Sequence, residues 1–264
     1  MTTPTISPTT SPESPELAAA PRAPVAMATR VPVRTPAALL VLLGVSLALI
    51  EVALWWIAAR TPSDIVLGLS QKIFYFHVGS AFAMLLCLTS ASFLSLADLL
   101  RPDDRADALA QSLLEVGVIF ALCILTSGPL WARKAWGMYW TWEPRLTLTL
   151  LVTLLAVSVI ALRAMSADSG TGRRVGAAMA VMGAPASYLI HVAVKWWGGT
   201  HPQVIQGGGI QNADMRIAFW LAVFGLLTFA AALTATRYRD LRLKQRGRAI
   251  RLNLSAHQLR QRRA

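Results

Sequence analysis

Six apolar runs, each long enough to cross a hydrocarbon layer about 30 Å thick, restrict this chain more than any other feature. They fall at about 37–59, 73–97, 109–131, 146–162, 175–194 and 216–236. In lipid a backbone must satisfy its own hydrogen bonds, and these runs lack the alternation of a barrel strand. The expected fold is therefore all-α: a polytopic membrane helix bundle with six transmembrane helices. Composition agrees, since 55% of the 264 residues are hydrophobic and only 14% charged, outside the soluble globular range.

Residues 1–36 are rich in Pro, Thr, Ser and Ala and carry no apolar period. Such a segment cannot bury enough surface to offset chain entropy, so a disordered tail is expected. The first apolar run starts late and exceeds 20 residues, which reads as an anchor and not a cleaved signal peptide. The predicted organisation is a tail at 1–36, a membrane domain at 37–236 and a basic tail at 237–264.

Six spans put both termini on one side, with the loops near 98–108 and 163–174. That side holds eighteen of the 25 lysines and arginines, ten of them between Arg237 and Arg263. The positive-inside rule then makes both termini cytoplasmic. The C-terminal cations supply most of the net charge of +12. They read as a topology determinant facing anionic lipid and not as a nucleic-acid site.

Cys87 and Cys123 each sit inside a predicted span, with no CxxC pair and no CxxCH site. Thiol relay and self-attachment of c-type haem are unsupported, and both read as small core residues. Glu51 and Glu115 also lie within spans, where a carboxylate is a functional candidate by default. Helix packing or contact with a small partner subunit suits them as well.

The unusual chemistry gathers on the segments predicted to face outside. Trp131, Trp136, Trp140 and Trp142 fall within twelve residues, followed by Glu143, Pro144 and Arg145. An interfacial belt supplies fewer rings per helix end, so this set reads as a flat apolar platform for a large planar ligand. His77 lies about 6 Å below the outer end of the second span and His191 about 5 Å below that of the fifth, at 1.5 Å per residue. Two imidazoles at matched depth on facing helices can clamp haem iron from both sides. The expected cofactor is haem b. His201, beside Trp196 and Trp197, could ligate, bond a propionate or cap a loop, and ranks second to His191. Lys72, Arg145 and Lys195 stand where two propionates would need cations, though Lys72 and Lys195 could instead snorkel to headgroups. Glu143 could orient Arg145 or an indole N–H.

Three stretches, Lys72–Ala81, Gly128–Thr147 and His191–Gln203, together resemble the haem-handling membrane protein family marked by a tryptophan-rich periplasmic motif ending in Trp-x-Trp-Asp. Within it they are most similar to the haem exporter C branch of bacterial cytochrome c maturation, over residues 37–236. The resemblance implies that His77 and His191 are axial ligands and that Trp136, Trp140, Trp142 and Arg145 form the haem surface. It implies presentation of haem on the outer face of the bacterial plasma (inner) membrane to a membrane-anchored haem chaperone. The implied partners also include a small single-span accessory subunit and an ATP-binding-cassette pair. The protein then supplies a platform, ligands and orientation in place of catalysis. Lys72 stands where the family often has Arg and lacks its fork geometry, while Glu143 replaces the usual Asp. Pro144 is a feature of the synthetase branch. The competing readings are a haem lyase of that branch, a b-type electron-transfer subunit with histidines near mid-bilayer, and a transporter with a fifth helix broken near Gly176, Gly183 and Pro185.

Overall fold

The computed structural model describes residues 35–166, 170–201, 210 and 212–261, so the tail expected at 1–36 falls outside them except for its last two residues. Six helical segments among these residues are long and apolar enough to cross a membrane. The only β pairing among them is an isolated bridge between Asp64 and Gly68. This is an all-α, multi-pass membrane protein.

The helices are α1 (Ala37–Ala59), α2 (Ile73–Leu100), α3 (Asp104–Trp136), α4 (Pro144–Met165), α5 (Gly170–Val181), α6 (Gly183–Trp197) and α7 (Ala213–Gln261). A short 3-10 turn, Leu69–Lys72, leads into α2. Several helices overrun the apolar runs at their ends, because local capping fixes those ends and hydropathy does not. Asp103 caps α3 by accepting from the Arg105 and Ala106 amides at 3.0 and 3.3 Å, an arrangement that satisfies two orphan donors. Gly137, at φ 76°, closes the far end of α3, where Arg133 donates to its carbonyl at 2.6 Å. Pro144 opens α4 at a position where its missing N–H is no loss. The last helix continues through most of the basic C-terminal segment.

The fifth span is two helices. Pro185 has no N–H for the Val181 carbonyl, and the backbone breaks at Met182, between α5 and α6. Ser92 on α2 enters this break and donates to the Ala180 carbonyl at 2.8 Å. Gly183 makes that approach possible: a Cβ there would lie 2.6 Å from Ser92 Oγ and 3.3 Å from the Leu88 carbonyl oxygen. Gly183→Ala should therefore destabilise the protein by about 2 kcal/mol through overpacking. Thermal unfolding in detergent reads the loss, and an unchanged midpoint would contradict it.

Met84, Cys87 and Leu88 on α2 form the main core with Leu114 and Phe120 on α3, Val152 and Val159 on α4, and Leu226 on α7. A second cluster joins Ala53 and Ile57 of α1 to Tyr75, Phe219 and Val223. Cys87 is a core residue as expected, whereas Cys123 is exposed. Glu51 is likewise exposed on α1.

At the end of the bundle where α1 begins, three arginines tie the helices together. Arg173 of α5 pairs with Asp98 of α2 and with Asp104 of α3, the latter at 2.6 Å. Arg163 of α4 meets Asp107 at 2.5 Å. Arg237 of α7 holds Glu115 through contacts of 2.5 and 3.0 Å. Glu115 thus has a structural partner, which fits the packing alternative for that residue.

Candidate functional site

A cavity of about 580 Å³ opens in the other half of the bundle, between α2, α3, α4 and α6. That size lies within the usual range for ligand sites, roughly 300–1,000 Å³. Of the residues singled out in the sequence, His77, Trp131, Trp136, Trp140, Arg145, His191, Lys195 and His201 line it. Lys72, Trp142, Glu143, Trp196 and Trp197 do not. Trp142 is 76% exposed, outside the lining. Trp196 and Trp197 are also exposed, in edge contact with each other and, through Trp196, with Tyr188. Such amphipathic rings suit a membrane interface. Lys72 donates to the Ala58 carbonyl at 3.0 Å, satisfying an orphan acceptor of the last turn of α1.

The indoles do not stack into a flat sheet. Trp131 and Trp136 meet edge to face, with centroids 5.5 Å apart and planes at 87°. Trp140 and Trp142 do the same at 5.7 Å and 77°. The quadrupole of each ring favours this geometry over coplanar stacking, so the tryptophans build walls in place of a platform. Trp140 Nε1 is buried without a partner, leaving one donor for a ligand.

Three histidines line the cavity, and the chain brings two of them close together. The rings of His77 and His201 lie 6.5 Å apart, centroid to centroid, tilted by 39°. Trp136 stands edge-on to His201 at 6.3 Å. The Nδ1 atom of His77 is 2.9 Å from Ser127 Oγ on α3. Gly128 makes room for that ring, since a Cβ there would lie 3.1 Å from His77 Cε1. Neither Ser127 nor Gly128 is conspicuous in the sequence, because nothing local announces a neighbour 50 residues away.

His201 reaches the cavity through a reversal of the chain after α6. Gly198 and Gly199 take φ of 75° and 146°, values open to glycine and strained for other residues. The returning segment is held by Glu143, whose Oε2 accepts from the Thr200 amide at 2.7 Å and from its hydroxyl at 3.1 Å. The other carboxylate oxygen is 3.7 Å from His201 Nδ1. Burial pushes the His201 imidazole down to about 3, and the nearby Arg145 and His77 act in the same direction. The ring is therefore neutral at physiological pH, so this contact is no ion pair, and it is too long for a hydrogen bond. Both atoms are buried with no hydrogen-bond partner.

Arg145 lines the cavity but also grips α6, donating to the carbonyls of Ile190 and His191 at 3.3 and 3.1 Å. The His191 side chain is exposed as well as cavity-lining.

Fold and site together define a polytopic membrane protein with an indole-walled, histidine-bearing cavity at one end of its bundle. The chain belongs to the heme exporter protein C family, whose model matches residues 23–253. It is 27% identical over 207 residues to heme exporter protein C of Haemophilus influenzae, covering 76% of this chain and 82% of that protein. It is 30% identical over 194 residues to the Bradyrhizobium diazoefficiens protein of the same name, covering 72% and 74%. A ccmC-like mitochondrial protein of cytochrome c biosynthesis from Marchantia polymorpha is 27% identical over 186 residues, covering 69% and 78%.

Proposed function

We propose that this protein binds haem b in the cavity, between His77 and His201, and presents it on the outer face of the plasma membrane to a haem chaperone. The observation that carries the reading is the imidazole pair. Metal–imidazole bonds are roughly 2.0–2.1 Å, so two rings on opposite sides of one metal have centres about 6 Å apart; the observed separation is 6.5 Å. Each Nδ1 faces a protein group, Ser127 or Glu143, which leaves each Nε2 for a ligand. For His77 the Ser127 hydroxyl is the partner on the outer nitrogen that usually orients a ligating histidine. The spacing of the pair favours His201 over His191 as the second ligand, and it gives His191 a place at the cavity edge.

The rest of the lining suits the same cargo. Indole walls accept the apolar macrocycle, and Arg145 and Lys195 are cations for the propionates. Haem would supply the redox-active iron when bound. The chain's own residues bind and orient it and line the site with apolar rings, and none of them is assigned an acid–base step. The excess of cations toward the C-terminus supports cytoplasmic termini and an outward site. Membership of the family supports assembly with ATP-binding-cassette subunits and a small single-span subunit. Trp142, exposed beside the cavity and in contact with Trp140, is assigned to the chaperone and not to the haem.

The test is transfer. In membranes that also contain the chaperone, haem should appear covalently on it only when this protein is present. Trp142→Ala should cut that transfer severalfold while haem stays bound here. Undiminished labelling of the chaperone without this protein would contradict the proposal. Orientation has its own check: with Cys87 and Cys123 replaced by Ala, a single Trp142→Cys should react with an impermeant maleimide in spheroplasts. Labelling only after lysis would place the site on the cytoplasmic side.

A further inference from the structure

We infer that Glu143 is a positioning residue: it holds the chain reversal that carries His201 and does not touch the haem. The inference rests on the reading of His201 as a ligand.

Ser, Thr, Asp or Asn at the N-terminal boundary of a helix turns its side chain onto the first amides; a glutamate, one methylene longer than Asp, is free to reach elsewhere. Glu143 stands there on α4, and its backbone carbonyl accepts from the Thr147 amide at 3.0 Å. Its side chain makes no such cap. The carboxylate is turned instead to a segment 57 residues away, where it takes both the amide and the hydroxyl of Thr200. Only 8% of this side chain is exposed, and hydrogen bonds to a buried carboxylate are among the strong ones.

The reversal is shaped to receive it. A Cβ at Gly199 would come within 2.8 Å of Glu143 Oε2, so residue 199 must be glycine both for its φ of 146° and for this approach. The second oxygen then faces His201 Nδ1 at 3.7 Å. Two residues on, Arg145 binds the Ile190 and His191 carbonyls. One tripeptide, Glu143-Pro144-Arg145, thus grips α6 before the reversal and the chain after it. Glu143, read from the sequence as orienting Arg145 or an indole N–H, instead holds Thr200 and so the chain next to His201.

The experiment compares the full-length protein with Glu143→Ala and Glu143→Gln, haem-free and haem-loaded. In the haem-free protein, hydrogen exchange at the Thr200 amide should accelerate by about tenfold or more in Glu143→Ala, from loss of a charge-assisted bond. In the loaded protein the same variant should lose the six-coordinate low-spin spectrum, and added imidazole should restore it. Glu143→Gln keeps an acceptor for Thr200 but removes the negative charge behind His201, so the spectrum should persist while the midpoint potential rises. Wild-type exchange at Thr200 in Glu143→Ala would overturn the inference. Loss of the six-coordinate spectrum in Glu143→Gln, which keeps the Thr200 acceptor, would overturn it too, and decides the matter if Glu143→Ala does not accumulate. Failure of the underlying reading looks different: His201→Ala would leave the spectrum unchanged, whatever Glu143 does to Thr200.

Discussion

Replacing His77 by Ala is expected to abolish the six-coordinate haem spectrum and to weaken haem binding by more than about a hundredfold. Loss of a group that merely orients a ligand lowers metal affinity by roughly 10–100-fold, so loss of the ligand itself should exceed that range. His77 sits on α2 with its Nδ1 set by Ser127 and its ring against the bare backbone of Gly128. Truncation at 77 therefore leaves a slot the shape of an imidazole, with little room for another side chain to replace it. Added imidazole should enter that slot and restore the spectrum. Titration of the purified protein with haemin, with and without imidazole, makes the measurement. Ser127→Ala should have a smaller effect in the same direction.

The second large effect lies at the opposite end of the bundle and concerns folding. Arg173→Ala should destabilise the protein by about 3 kcal/mol, the usual consequence of removing one partner from a buried ion pair. Asp98 is only 4% exposed and depends on this guanidinium, along with the Asp103 amide at 2.9 Å. Asp104 uses the same arginine but is 66% exposed, so water can replace its partner and its share is small. Unfolding in detergent with a chemical denaturant gives the number. Asp98→Asn in the Arg173→Ala background should recover part of the loss, because it removes the stranded charge. A change below about 1 kcal/mol would mean that water reaches Asp98 and that the pair is a surface one.

Much of the bundle is legible from the sequence because hydrocarbon thickness fixes span length, and each apolar run lies within a helical span. The helix ends are not: the third run reads as 109–131, whereas the Asp103 cap and Gly137 set α3 at Asp104–Trp136. Pro185 and Gly183 mark the break in the fifth span, but its purpose depends on Ser92, 88 residues away from Ala180 in the chain. The site is less legible. Counting residues down from a helix end gives His191 a depth matching His77, and places His201 outside any helix. Depth along a helix takes no account of the reversal at Gly198-Gly199, which folds His201 back toward His77. The Gly-Gly pair was the available signal, since consecutive glycines after a helix permit positive φ. The aromatic cluster is plain in the sequence, but the angle between indoles is set by ring electrostatics and packing, and spacing does not encode it.

The most direct measurement of the central claim is the absorption spectrum of the haem-loaded protein, oxidised and after dithionite, for wild type, His201→Ala and His191→Ala side by side. The proposed pair of ligands predicts a low-spin, six-coordinate spectrum in wild type and His191→Ala, and its loss in His201→Ala with recovery on adding imidazole. An intact spectrum in His201→Ala, together with its loss in His191→Ala, would contradict the account.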